Sequence, residues 1–277
     1  MDRTTPIVEP KTIQFGDKQL YVAVEPGEGT GPPLLLVNGI GANLELFAPF
    51  IQALDQIRGP KIGTIRFDIP GTGASPTPWL PYRFSNLADL VSQMLDHLGY
   101  QTVDVLGISW GGALAQQFAY LYPNRCRRLI LVSTSPGIIS VPGHPKTLVK
   151  MVSPRRYLQR SYRAAIAAEL YGGRFRREPK LMQHYAHLFR APGRLGYTWQ
   201  LLAGAGWTSI HWLHRLGQPT LILAGDDDPI IPLINARVMA QLIPNATLHI
   251  MHDGHLFLLT QADQTAAFVH PFLTSTI

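Results

Sequence analysis

Three residues far apart along the chain carry the chemistry needed for acyl transfer. Ser109 stands in Gly107-Ile108-Ser109-Trp110-Gly111, Asp228 in Gly225-Asp226-Asp227-Asp228-Pro229, and His255 follows Asp253-Gly254. A serine hydroxyl is a weak nucleophile until a base takes its proton, and the base needs a carboxylate to hold its tautomer and orientation. Serine, then acid, then histidine is the chain order found where the nucleophile sits on a sharp strand-to-helix turn.

The residues around Ser109 predict such a turn. The apolar run VDVL (103–106) stops at Gly107, and a helical pattern resumes at Trp110. A turn this abrupt forces the serine into a strained backbone conformation and leaves no room for side chains two positions away. Gly107 and Gly111 answer that need, and Gly112 allows close packing of the helix on the sheet. The start of the helix offers unpaired N–H groups and a positive dipole end to a developing oxyanion. The Trp110 N–H is the first expected donor, and the Ile40 N–H is the second. Ile40 lies in the loop Asn38-Gly39-Ile40-Gly41-Ala42-Asn43, which comes after the strand-like PLLLV (33–37). Asn38 either shapes that loop or simply ends the strand.

Four aspartates compete for the acid. Asp228 is the expected one, because a turn that begins at Gly225 needs a few residues to reach over the sheet edge, and Pro229 stiffens the next position. Asp226 and Asp227 are expected to cap the turn and the next helix. Asp253 is the rival acid.

These residues need a scaffold. Short apolar runs at PLLLV, KIGTIRF (61–67), TVDVL (102–106), RLILVS (128–133), TLILA (220–224) and TLHIM (247–251) read as strands, preceded by a hairpin of IQF and LYVAV around GDKQ. Most are apolar on consecutive positions, as in strands covered on both faces. Helical patterns lie between them, most clearly over 86–98, where Leu87, Leu90, Val91, Met94, Leu95 and Leu98 recur at spacings of three and four. Strand alternating with helix predicts an α/β protein with a mostly parallel sheet. From Ser135 to Gln218 no strand is predicted. That stretch reads as several helices inserted between two strands, over the carboxyl edge where ligands bind, and so as a lid. Its tryptophans Trp199, Trp207 and Trp212 are lid core or the lining of an apolar substrate channel.

Composition sets the outer limits. The 277 residues, 46% of them hydrophobic, suit one large domain or a domain with a sizeable insertion. The start of the chain has no signal-like apolar stretch, and no segment is long and apolar enough to span a bilayer, so an unexported, cytoplasmic protein is expected. The single cysteine, Cys126, rules out an internal disulfide and a thiolate metal cage. His184 with His187, and His211 with His214, lack the third ligand of known zinc motifs, so no metal site is expected. The net charge is +6, yet residues 146–180 alone carry ten basic and two acidic side chains. The window comprises Lys146, Lys150, Arg155, Arg156, Arg160, Arg163, Arg174, Arg176, Arg177 and Lys180 against Glu169 and Glu178. No nucleic-acid motif accompanies it, which leaves internal ion pairing or an anionic surface.

Seven stretches together resemble the α/β-hydrolase fold and, within it, the intracellular medium-chain-length polyhydroxyalkanoate depolymerases. They are NGIGANLEL (38–46), FDIPGTGAS (67–75), GISWGGALAQQFA (107–119), YGGRFRREP (171–179), GWTSIHWLH (206–214), GDDDPIIPLIN (225–235) and DGHLFL (253–258). The fourth and fifth distinguish this group from the wider superfamily. The resemblance implies a mostly parallel eight-stranded sheet flanked by helices, with residues 1–134 and 219–277 as the core and 135–218 as a helical lid after the sixth strand. It also places the nucleophile, acid and base on Ser109, Asp228 and His255. The implied substrate is the hydrophobic polyester of medium-length 3-hydroxy acids at cytoplasmic granules, cleaved without a metal or organic cofactor. Rival readings are a small-ester esterase or thioesterase, a cofactor-free perhydrolase or haloperoxidase, and a non-catalytic granule-binding protein. The sequence leaves the oligomeric state open.

Overall fold

The computed structural model describes residues 9–29, 31–153, 160–188 and 193–275. Eight strands form one sheet among them: β1 (Lys11–Phe15), β2 (Lys18–Glu25), β3 (Leu34–Val37), β4 (Thr64–Phe67), β5 (Val103–Ile108), β6 (Cys126–Val132), β7 (Thr220–Gly225) and β8 (Ala246–Met251). Their order across the sheet is β1-β2-β4-β3-β5-β6-β7-β8. β1 and β2 form the expected antiparallel hairpin, and β2 pairs antiparallel with β4. All remaining pairs are parallel.

Helices cover both faces, which is why β3, β4, β5 and β7 are buried at every position. Along β5, Val103 and Val105 join one core cluster, whereas Leu106 and Ile108 join the other. β8 departs from the two-sided pattern: it is an edge strand, and most of its residues remain partly or fully exposed. The helix Phe84–Leu98 buries Leu87, Leu90, Val91, Met94 and Leu95 and ends at Gly99, whose φ of 80° makes the left-handed cap that a glycine adopts at least cost. Fully burying a Leu or Met of this kind contributes roughly 1.5–3 kcal/mol.

Between β6 and β7 the described residues form the helices Pro145–Val152, Arg160–Tyr171, Gly173–Arg177, Leu181–Tyr185 and Arg194–Gly204. Among the described residues the only β pairing in this stretch outside named strands is the bridge of Gly137 with Thr208. Ile166, Leu170, Phe175, Met182 and Leu188 belong to the same core cluster as Phe257 and Leu259, so this helical segment shares a core with the sheet. No helix among the described residues is long and apolar enough to cross a membrane.

Among the described residues, four cations of the basic window meet carboxylates. Arg174 bonds Glu178, Arg176 bonds Asp227, Lys150 bonds Glu169, and Arg177 lies 3.9 Å from Asp253. Arg155 and Arg156 lie outside the described residues. The second member of one histidine pair turns back on the first, with His187 Nδ1 2.9 Å from the carbonyl oxygen of His184.

Candidate active site

Ser109 sits between β5 and the helix Trp110–Leu121 at φ 55° and ψ −120°, a conformation that side-chain-bearing residues rarely occupy. Glycines hold it there. A Cβ on Gly107 would run into the carbonyl of Gly111 and the Ala115 side chain, and one on Gly111 would strike the end of β3 at Val37 and Asn38. The reason for Gly112 is more specific than helix-on-sheet packing, since its missing side chain makes room for Thr134, which donates its hydroxyl to the Ser109 carbonyl at 2.7 Å.

The loops after β7 and β8 deliver the other two groups. His255 Nε2 lies 3.0 Å from Ser109 Oγ, and His255 Nδ1 lies 2.7 Å from Asp228 Oδ2. With the ring proton on Nδ1 both contacts are satisfied: Nδ1–H donates to the carboxylate, and Nε2 accepts from the serine hydroxyl. His255 and Asp228 are buried. The remaining oxygen of Asp228 accepts the N–H groups of Ile230 at 2.8 Å and Ile231 at 3.0 Å, which fixes the carboxylate plane. The carbonyl of Tyr171, from the helical segment, accepts the His255 backbone N–H at 2.7 Å.

The other three aspartates are occupied elsewhere. Asp226 pairs with exposed His252, and Asp227 accepts the Gly173 N–H at 2.8 Å and bonds Arg176. Neither caps the following helix as expected; both tie separate segments together instead. Asp253 is buried and accepts from the N–H groups of Arg174 and Gly254 and from the Thr260 hydroxyl. Gly172 and Gly173, both at positive φ, let the helical segment press onto the histidine loop, where a Cβ on Gly173 would run into Gly254 and Asp253.

The loop 38–43 passes beside the serine: a Cβ built on Gly39 would lie 3.5 Å from that of Ser109. The N–H groups of Ile40 and Trp110 have no acceptor among the described residues. Asn38 is fully buried, and its side-chain amide makes no hydrogen bond among them, so it does not shape the loop by that means. Two residues that sequence reasoning passed over hold the loop. Asp68 accepts the N–H groups of Leu44 and Ala74, each at 2.8 Å, and Gln200 accepts the Gly41 N–H at 2.8 Å. Asp68 lies in the FDIPGTGAS stretch, whereas nothing local in the sequence marks Gln200.

Trp199, Trp207 and Trp212 are half-buried against the core. Trp199 donates its indole N–H to the Pro78 carbonyl, Trp207 donates to Gln117, and Trp212 stacks on Tyr120 with ring centroids 4.4 Å apart. Among the described residues no cluster of His, Cys, Asp and Glu is placed to hold a metal ion.

A mostly parallel sheet with a serine on its strand-to-helix turn, backed by a histidine and an aspartate from later strand ends, defines a serine-hydrolase architecture. The chain belongs to the alpha/beta hydrolase fold family, whose model matches residues 32–262. It is 56% identical, over 95% of its own length and 92% of the relative's, to the poly(3-hydroxyalkanoate) depolymerase of Ectopseudomonas oleovorans. It is also 27% identical to 3-oxoadipate enol-lactonase 2 of Acinetobacter baylyi, over 88% of each chain. Among solved structures, the enol-lactonase from Burkholderia xenovorans superposes with a TM-score of 0.81 at 23% identity, covering 96% of this chain and all of that one, which speaks for the fold alone.

Proposed function

We propose that this hydrolase cleaves the ester bonds of medium-chain-length poly(3-hydroxyalkanoate), with Ser109 as nucleophile, His255 as general base and acid, and Asp228 as the orienting carboxylate. The observation that carries the chemistry is the continuous hydrogen-bonded line from Ser109 Oγ through both ring nitrogens of His255 to Asp228. The 56% identity to a named depolymerase supports the polymer as substrate.

In the first half-reaction His255 Nε2 takes the proton of Ser109 as its oxygen attacks the ester carbonyl. The N–H groups of Ile40 and Trp110 receive the oxyanion, and Asp228 stabilises the imidazolium. His255 then returns the proton to the departing 3-hydroxyl oxygen, leaving an acyl-serine. Water repeats the sequence and releases a 3-hydroxyalkanoic acid or a short oligomer. The helical lid 135–218 covers the site, and the partly exposed rings of Trp199, Trp207 and Trp212 contact the apolar acyl chains. Because the polymer is insoluble in water, the enzyme works at the surface of cytoplasmic granules.

The test is incubation of the protein with amorphous granules of poly(3-hydroxyoctanoate) and of poly(3-hydroxybutyrate), with quantification of the released hydroxy acids. Preferential release from the first is expected. Equal release refutes the medium-chain preference, and turnover of soluble esters with no release from either polymer points to a small-ester esterase.

A further inference from the structure

The helix Arg194–Gly204 is seated firmly. Gly196 packs so closely on Gly71 that neither has room for a side chain, Tyr197 donates its hydroxyl to the Met151 carbonyl at 2.9 Å, and Trp199 donates to Pro78 at 3.0 Å. From this helix one residue reaches both sides of the oxyanion site. The Gln200 side-chain carbonyl accepts the Gly41 N–H at 2.8 Å, and its backbone carbonyl accepts the Trp110 indole N–H at 2.9 Å. Gln200 is fully buried, and its Nε2 has no partner among the described residues. A side chain retained only to fill space would avoid the cost of that unpaired donor. The amide is therefore explained by what its oxygen does.

We infer that Gln200 is a positioning residue that makes the oxyanion hole depend on the seating of the helix Arg194–Gly204, an inference that rests on Ser109 as nucleophile and on Ile40 and Trp110 as the donors. The second donor sits in a loop with glycines at 39 and 41, and Gly41 lies at φ 70°. Peptide planes flanked by glycine reorient at little steric cost. A rotated plane at this point would misdirect the Ile40 N–H. Fixing the next N–H, that of Gly41, on Gln200 holds the adjoining Ile40–Gly41 plane and so limits how far Ile40 and its own N–H can turn, and the same residue anchors the indole of Trp110, whose backbone N–H is the first donor. Helix displacement breaks both tethers together.

Three proteins test this on p-nitrophenyl octanoate: the parent, Gln200→Met, which keeps length without the acceptor, and Trp110→Phe, which keeps the backbone N–H and loses the indole tether. Loss of an oxyanion donor costs 10²–10³-fold and a misaimed one costs less, so Gln200→Met is expected to lower kcat by about 10–100-fold with KM within about twofold. The affinity for an alkyl boronic acid, which forms a tetrahedral adduct on serine, falls by the same factor. Unchanged kcat in Gln200→Met overturns the inference, and so does a lowered kcat with unchanged boronic-acid affinity. If Gln200→Met does not fold, Trp110→Phe decides: kcat lowered at constant KM supports the tether, and an unchanged kcat overturns it. Ser109→Ala separates the two levels, because its retained activity would refute the nucleophile itself, whereas its inactivity beside a fully active Gln200→Met refutes only the tether.

Discussion

The Nδ1 of His255 lies 2.7 Å from Oδ2 of Asp228, and both side chains are almost wholly withdrawn from solvent. Asp253, only two residues before that histidine, is just as buried but spends its oxygens on the Arg174 and Gly254 N–H groups and the Thr260 hydroxyl.

The two aspartates therefore respond differently to amidation. Asp228→Asn removes the carboxylate facing His255 Nδ1 and, on the proposed mechanism, is expected to lower kcat by about 10³–10⁴-fold with melting little changed. Asp253→Asn sets an amide nitrogen against donors in a buried site, costing about 2–4 kcal/mol of stability. Its kcat is expected to stay within about tenfold of the parent, since it reaches the chemistry only through the histidine loop. Parallel kinetics and thermal unfolding check both, and the reverse pattern would make Asp253 the acid.

Ser109→Ala and His255→Gln are each expected to lower kcat by more than about 10³-fold, and the double variant should be no worse than the less active single variant. Additive losses would show that the two side chains do not act as one unit.

Gly107→Ala drives a methyl group into the Gly111 carbonyl and Ala115 and is expected to cost about 3 kcal/mol or to prevent folding. Gly217→Ala, with open space around it, should change stability by less than about 1 kcal/mol. Urea unfolding of the two variants provides the comparison.

Cys126 is buried in β6, and burial pushes its thiol well above the ordinary range. At pH 8 the sulfur is therefore neutral as well as shielded. The native protein is expected not to react with a thiol-directed disulfide reagent, and the denatured protein should release one equivalent. Rapid reaction of native protein would mean that this strand opens readily.

The amino-acid sequence by itself determined the strand and helix pattern, because burial on two faces or on one helical stripe leaves a periodic record within each element. It also marked Ser109, since a sharp strand-to-helix turn excludes side chains locally and so writes its glycines into adjacent positions. Asp228 and His255 were legible from strand ends and chain order. Which segments Asp226, Asp227 and Asp253 tie together, and how Gln200 reaches the loop at Gly41, were decided by the tertiary structure alone. The Ser109–His255 contact spans 146 positions and the Gly41–Gln200 contact spans 159. Contacts of that range depend on how the sheet twists and where the helices seat, and they impose no spacing that nearby residues could record.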